Sequence, residues 1–250
     1  MTMKTVAQAD LSEAESSLAR RPLIGRAIWK VSEFPPARKM LGAIHRLLWN
    51  RVNLLKAGAK SVRRLEIGPG RSRIPSFETA NIIWSPVTDY VCNSSRRVPV
   101  AAATFDTVYA SHILEHIPWY ETQKALLEWK RILKPGGALE VWVPDGLKIC
   151  RAFILAEDDL GNDFQQDGWY KFNDSKNPAL WFNGRIFSYG DGKGTLGHPN
   201  WHVALLTERL LREHLEAVGF INVTRLTNDQ VRGYDHGWIN LGMRAEMPRA

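Results

Sequence analysis

Nine residues, Arg64-Leu65-Glu66-Ile67-Gly68-Pro69-Gly70-Arg71-Ser72, constrain this chain more than any other stretch. An apolar run ends on an acid and enters a turn with two glycines. Glycine reaches positive φ without a steric penalty and lets backbone approach a ligand where a side chain would collide. A strand, a glycine-rich turn and a helix start, in that order, are a common cradle for a nucleotide-like cofactor. An ordinary tight turn has the same glycines, so the weight of the pattern depends on the rest of the chain.

Downstream of the turn, strands and helices alternate. Residues 62–67 read as the first strand. Apolar runs at 80–84, 90–92, 105–110 and 138–143 are bounded by turn-forming residues and read as strands two to five. Residues 111–133 are expected to be helical except near Pro118, with Leu126, Trp129, Ile132 and Leu133 on the inner face. Pro135-Gly136-Gly137 reads as a turn. Thr207 should cap a helix with Leu211, Leu215 and Val218 inside and Gly219 as its stop. Residues 220–226 and 238–243 read as closing strands. This alternation predicts an α/β fold whose ligands lie at the carboxyl ends of parallel strands.

Two further segments stand apart. Residues 1–64 hold 13 Lys and Arg against four acids, a local +9 in a chain of net +7. A basic arm of this kind can seek anionic lipid, nucleic acid or an acidic substrate, or be a solvated face. Within it Leu41, Ile44, Leu48, Val52 and Leu55 fall at helical spacing, flanked by Lys39, Arg46, Arg51 and Lys56. The favoured expectation is a helix packed on the sheet. The sharper alternative is a helix lying on an anionic membrane surface. Residues 147–203 begin with a short helix to about Ala156. They continue as a polar, aromatic-bearing segment with Phe164, Trp169, Tyr170, Phe172, Trp181, Phe182, Phe187 and Tyr189. Such a segment reads as a lid or substrate wall, or as a surface subdomain with its own small core.

The 250 residues are enough for one domain with a sizeable core. No apolar run approaches membrane-spanning length, and residues 1–17 lack the apolar stretch of a secretory signal. Cys92 and Cys150 form no zinc or disulfide pattern. A cytoplasmic protein is expected, with attachment to the inner face of the membrane as an added option of the basic arm.

By the fifth strand the sequence resembles the class I S-adenosylmethionine-dependent methyltransferases. More narrowly, it is similar to those associated with cell-surface polysaccharide synthesis. The resemblance is carried by 65–70, then Phe105-Asp106-Thr107-Val108-Tyr109-Ala110-Ser111-His112-Ile113-Leu114-Glu115-His116. Leu133-Lys134-Pro135-Gly136-Gly137 and Val143-Pro144-Asp145 complete it. It implies a Rossmann-like seven-stranded, mostly parallel sheet with an antiparallel last strand. The implied organisation is a basic helical extension over 1–60 and a methyltransferase domain over 61–250, with 147–203 inserted. It further implies S-adenosylmethionine as cofactor, its methionine part against Gly68, Pro69 and Gly70. Glu66 would hold the cofactor's amino group, and Ser111 and His112 would line its sulfonium. A turn opening a helix would add free N–H groups and a positive dipole end for the carboxylate.

The sequence departs from that family at three places. Ser72 stands where a third glycine is usual. Ile83 falls, within one or two residues, where an acid usually grips the ribose hydroxyls. Asn93 stands where an Asp is common near the adenine, and can still pair with an amino group. A lost charged hydrogen bond costs about 1.5–3 kcal/mol. A degenerate, non-catalytic domain is therefore a live alternative.

Methyl transfer to oxygen or nitrogen needs an aligned acceptor and removal of one proton. Histidine suits that proton role. His116, four residues after His112, leads as the base, with His202 and His198 as rivals. Asp145, at the end of strand five, could meet a substrate hydroxyl, and Trp201 and Tyr189 could stack on a sugar ring. The expected reaction is methylation of a hydroxyl on a sugar or glycan precursor. No metal is assigned, although His112-Ile113-Leu114-Glu115-His116 also matches the HxxEH pattern of inverted zinc peptidases. Its position between a strand and Pro118 ranks a zinc hydrolase low. Nucleic acid ranks below a glycan or another small molecule, because the Asn/Asp-Pro-Pro-aromatic run of exocyclic-amine methylation is missing after strand four.

Overall fold

The computed structural model describes residues 30–31, 34–160, 173–187 and 197–249. The expected strands appear as β1 (Arg64–Ile67), β2 (Glu78–Asn81), β3 (Tyr90–Val91), β4 (Phe105–Ser111), β5 (Leu133–Pro144), β6 (Ile221–Leu226) and β7 (Asn240–Glu246). They form one seven-stranded sheet in the order β3-β2-β1-β4-β5-β7-β6. The first five pair in parallel, and β7 runs antiparallel to both β5 and β6. The order of strand addition thus reverses between β1 and β4 in the middle of the sheet, and the crevice at the carboxyl ends of these parallel strands is the natural ligand site.

The helices covering the sheet bury most of the residues expected on their inner faces. The main one, α3 (Thr122–Ile132), buries Ala125, Leu126, Trp129 and Ile132 against the sheet. Its Trp129 Nε1 donates to the Ser94 carbonyl at 3.0 Å, so the buried indole leaves no unpaired donor. In α6 (Glu208–Ala217) the Thr207 hydroxyl accepts from Leu210 N at 3.3 Å, and Leu211 and Leu215 are buried. Pro135-Gly136-Gly137 is not a free turn but a bulge inside β5. Leu133 pairs with Phe105, and pairing resumes at Ala138 opposite Thr107. Hydrogen bonds from Gly136 N to Met247 O and from Met247 N to Gly137 O fasten it beyond the end of β7.

Expectations about helices are overturned at two kinds of place, after strand ends and at the amino-terminal helix. First, no helix follows the glycine turn. Only ten residues separate β1 from β2, and among them Pro69 and Pro75 and two glycines leave no room for one. The turn is held by its own bonds instead: Gly68 N donates to Ala80 O at 2.9 Å, and Ile74 N to the Glu66 carboxylate at 2.8 Å. The helix-dipole contribution expected there is absent. Likewise, helix does not begin at residue 111. Leu114–His116 and Trp119–Glu121 are single tight turns, and α3 starts only at Thr122.

Second, the amino-terminal helix does not lay its apolar stripe on the sheet. It comprises α1 (Pro35–Ile44), a wider π-helical turn (His45–Trp49) and α2 (Asn50–Ala57). Its buried face is polar. His45 Nε2 donates to the Asp89 carbonyl at 2.9 Å, while Trp84 Nε1 donates to His45 Nδ1 at 3.1 Å. Asn50 brackets Val91, accepting its N–H at 3.0 Å and donating to its carbonyl at 3.3 Å. Asn53 donates to Asp89 O at 2.8 Å. The physical reason is that β3 is an edge strand with open backbone groups, which need polar partners. The π turn also adds a residue and rotates the face. Ile44, Leu48 and Leu55 are left exposed, the last at 81%.

On the outer half of the sheet a buried acid is fully paired. Arg63 meets Glu78 through two parallel bonds of 2.9 and 2.8 Å, and Tyr90 Oη donates to Glu78 at 2.6 Å. Burial alone would raise the Glu78 carboxyl. The hydrogen bonds from Arg63 and Tyr90 more than reverse this and hold it below its ordinary range.

The segment after β5 has a small core of its own. α4 (Gly146–Glu157) and α5 (Pro178–Phe187) bury Ile149, Ala152, Trp181 and Ile186 together with Ile239. Phe153 and Phe182 stack at 4.6 Å. This platform carries the returning strand of chain, residues 198–206, back across the carboxyl edge of the sheet. Tyr189 and the aromatics at 164–172 lie outside the described residues.

Candidate active site

Three strand ends meet at the crevice. β1 runs into Gly68, at φ +76°. A Cβ there would stand 2.0 Å from Ile113 Cδ1, so the loop after β4 closes directly over the bend. Gly70 also has positive φ, at +57°, and nothing among the described residues lies within 4 Å of the Cβ it lacks. Pro69 between them is buried. Glu66, just before the bend, is buried with one bond, from Ile74 N. Burial pushes its carboxyl up to about 7, against the opposing pull of that N–H and of Arg73.

β2 ends at Asn81, two residues before Ile83. The polar side chain at this strand end is therefore an amide. Asn93 follows β3. Its carboxamide oxygen accepts from Ser95 N at 3.1 Å and Ser95 Oγ at 2.6 Å, and so shapes the local turn.

β4 ends in Ser111, and His112 then adopts φ +52°, a conformation few residues other than glycine take. Surrounding bonds hold it there. Its N–H donates to Trp142 O at 2.8 Å, and its Nε2 donates to Asn240 Oδ1 at 3.0 Å. Asn240 Nδ2 in turn donates to Asp235 at 2.6 Å, which fixes which end of the amide faces the histidine. The ring stacks on His236 at 3.5 Å. Burial takes His236 down to about 3, helped by His112 beside it. His236 and Asn240 come from the approach to β7, more than 120 residues away, and no motif announced them.

Behind His112 lies Glu115, 2% exposed. Neither of its oxygens has a hydrogen-bond partner among the described residues; His112 Nδ1 stands 3.3 Å from Oε1 without hydrogen-bond geometry. Burial would raise this carboxyl, but His112, His116 and His202 around it hold it well below its usual range. His116 donates from Nδ1 to the Trp201 carbonyl at 3.1 Å, and His202 from Nδ1 to the Arg185 carbonyl at 2.6 Å. The two rings are 5.1 Å apart. Burial takes His202 down to about 4, partly offset by Glu115. His112 and His116 do not share a helix face, since no helix runs between them. His116 faces His202 instead.

The remaining expected residues sit at the margins. Asp145 is the amino-terminal cap of α4, accepting from Leu147 N at 3.1 Å and Lys148 N at 3.2 Å. Arg225 lies 3.7 Å from its other oxygen. His198 is half-buried and accepts from Asn200 N at 3.2 Å. Trp201 is half-buried at the crevice rim.

The strand order, with a reversed β7 inserted between β5 and β6, is that of the class I methyltransferases. Residues 52–141, about a third of the chain and the part holding β1 to β4, match the family model described as a methyltransferase domain. The chain has the class I methyltransferase fold. The match to a methyltransferase domain indicates S-adenosylmethionine as cofactor. No curated protein matches the sequence. Among solved structures, this domain is similar to a methyltransferase of Thermotoga maritima described as a possible histamine N-methyltransferase. The two share 17% identity over 88% of this chain and 99% of that one, at TM-score 0.43. It is similar to the 1,6-didemethyltoxoflavin-N1-methyltransferase of Burkholderia thailandensis, solved with S-adenosylhomocysteine. There the identity is 13% over 91% of each chain, at TM-score 0.41. It is also similar to the CurJ carbon methyltransferase, at 14% identity and TM-score 0.43. That match covers 76% of this chain but only 49% of the other. Likeness at this level says nothing about the acceptor.

Proposed function

We propose that this methyltransferase domain methylates a hydroxyl of a sugar or glycan precursor. The observation that carries the reading is the half-buried His116 backed by buried Glu115 and His202, set beside the β4 end where the transferred methyl would lie. An alcohol must lose its proton to become a competent nucleophile, and the His116 imidazole placed there can receive it. Trp201 at the rim offers a ring face to a sugar.

The cofactor fits the residues present. The bend at 68–70 leaves side-chain space empty at Gly70, and Glu66 is a carboxylate poised to ionise against a cation. In this reading Glu66 holds the methionine amino group, Gly68, Pro69 and Gly70 accept the methionine backbone, and Ser111 and His112 flank the sulfonium. Asn81 reaches the ribose hydroxyls in place of the acid expected near Ile83. Asn93 keeps its amide nitrogen for the adenine side. When bound, the cofactor supplies an electrophilic methyl group. The chain's own residues align the acceptor, shut out water and take its proton. Asp145 is read as a helix cap and His198 as a loop residue. His116, with Glu115 behind it, is the leading proton acceptor.

Incubation with methyl-labelled S-adenosylmethionine and a panel of free glycans, nucleotide sugars and small amines tests the acceptor class. Label on a carbohydrate oxygen is expected. Label on amines alone would overturn the hydroxyl reading, and binding of cofactor with no label on any acceptor class would favour a binding-only domain.

A second reading concerns the amino-terminal helix. Met40, Ile44, Leu47, Leu48 and Leu55 are exposed beside Lys39, Arg46, Arg51 and Lys56. An apolar face with a basic border matches an anionic membrane surface, and no helix among the described residues is long and apolar enough to cross one. Co-sedimentation with vesicles rich in anionic lipid, falling steeply with added salt, is the expected result. Equal recovery with neutral vesicles would contradict it.

A further inference from the structure

We infer that Glu115, His116 and His202 form a binding site for a divalent transition-metal ion of the zinc class. The ligand atoms these three residues offer all lie within 4.8 Å of one another. Ligand atoms on one tetrahedral ion are roughly 3.4 Å apart, so the widest pair needs to close by little more than an ångström.

Three independent features support the site. The first is the tautomers. A carbonyl oxygen can only accept, so the bonds to Trp201 O and Arg185 O put the protons of His116 and His202 on Nδ1. In the neutral rings Nε2 then carries the lone pair a metal needs. A ligating histidine whose other nitrogen donates to a backbone carbonyl is the usual supporting arrangement at metal centres. The second is Glu115. Its side chain is buried, and among the described residues neither oxygen has a hydrogen-bond partner, with His112 Nδ1 in ion-pair range at 3.3 Å from Oε1. A buried carboxylate without such bonds is costly unless a cation or metal satisfies it. The third is anchoring. The Glu115 carbonyl accepts from Val203 N at 2.8 Å and Ala204 N at 3.2 Å, which ties the 114–116 turn to the segment carrying His202. The site therefore bridges two parts of the chain held in fixed relation.

Two imidazoles and one carboxylate suit zinc, cobalt, manganese or iron(II) better than magnesium or calcium, which favour oxygen. Three protein ligands leave at least one position open, as catalytic rather than structural zinc sites do. The ligand set also differs from the sequence pattern. HxxEH pairs His112 with His116, whereas here His112 is engaged by Asn240 and His202 takes its place. On the reading that this is the acceptor side of the site, the open position would receive the acceptor oxygen, and with an ion bound the metal would take over from His116 by acidifying the acceptor hydroxyl, whose proton would pass to solvent.

The test uses the full chain, stripped with chelator and titrated with Co²⁺ alone. Visible absorption reports binding, and Zn²⁺ serves as competitor. Saturable uptake of one Co²⁺ per chain, displaced by Zn²⁺, is expected. His202→Ala and Glu115→Gln should each weaken it at least tenfold, while the surface change His214→Gln leaves it unchanged. Thermal melts of each variant show whether it is folded, and the wild-type titration stands on its own if one is not. Absence of saturable uptake by the wild type, or equal uptake by folded His202→Ala and Glu115→Gln, would overturn the site. S-adenosylhomocysteine binding to the stripped protein is measured in parallel. Its failure would remove the methyl-transfer reading and leave the metal result intact.

Discussion

Gly68→Val is expected to abolish binding of S-adenosylhomocysteine, with a loss of about a hundredfold or more. Two effects add. The residue sits at φ +76°, where a side chain costs about 1–2 kcal/mol and a β-branched one more. The new Cβ would also stand 2.0 Å from Ile113 Cδ1 and 2.7 Å from Cγ1. Ile113 must then move, and it packs against the main core. The two loops proposed to cradle the cofactor would be pushed apart at their point of contact. A folding defect is separated from a binding defect by Gly68→Val/Ile113→Ala, which relieves the clash but leaves a side chain in the bend. Calorimetry should find this pair better folded yet still unable to bind. Binding within threefold of wild type in either folded variant would show that the bend is not the cradle.

The second large effect falls on stability. Arg63→Ala removes both hydrogen bonds that Arg63 makes to Glu78, leaving a buried carboxylate with the Tyr90 hydroxyl and the exposed Lys60 ammonium at 3.8 Å. Breaking one side of a buried pair costs about 3–5 kcal/mol. For a domain of this size that lowers the melting temperature by about 10 °C. The pH dependence has a definite sign. Glu78 has a folded value below its unfolded value near 4.5. The pair therefore stabilises fully above that pH and is lost as pH falls through the folded value. The gap between wild type and variant should be widest near neutrality and narrow in acid. Arg63→Ala/Glu78→Gln should recover part of the loss at neutral pH. A neutral-pH difference under about 1 kcal/mol would mean that the pair behaves as an exposed one.

Much of the architecture was legible because strands here are short apolar runs bounded by turn residues. β1, β3, β4 and the capped α6 fell within a few residues of expectation. The parts that were not legible have local causes. Pro69 and Pro75 suppress the helix that a glycine turn would normally open, and a motif shared with other chains overrode that plain signal. The apolar stripe of the first helix was real in sequence but not inward in space. Edge strand β3 needed amides and a histidine more than it needed leucines, and a π turn shifted the face. In the site, Gly68, Ser111, His112 and His116 were visible as a motif. Glu115 was visible only as a letter in HxxEH, because nothing in sequence says that a carboxylate will be buried without hydrogen bonds. Its other neighbour, His202, was one of several histidines able to serve as a base, but its contact with His116 exists only through packing of the segment after α5. His236 and Asn240 arrive from the approach to β7 and carry no spacing that links them to β4.

The central claim is that a cationic amino acid cofactor is received at the turn after β1, beside a carboxyl that burial holds at about 7. Titration of the wild-type chain with S-adenosylhomocysteine at pH 6 and pH 8, in buffers of different ionisation enthalpy, tests it most directly. The ligand's ammonium favours the ionised form of Glu66, so binding should release a proton at pH 6. Affinity should rise by up to about tenfold as pH passes through 7. Absence of heat and of thermal shift at millimolar ligand at both pH values would contradict the claim.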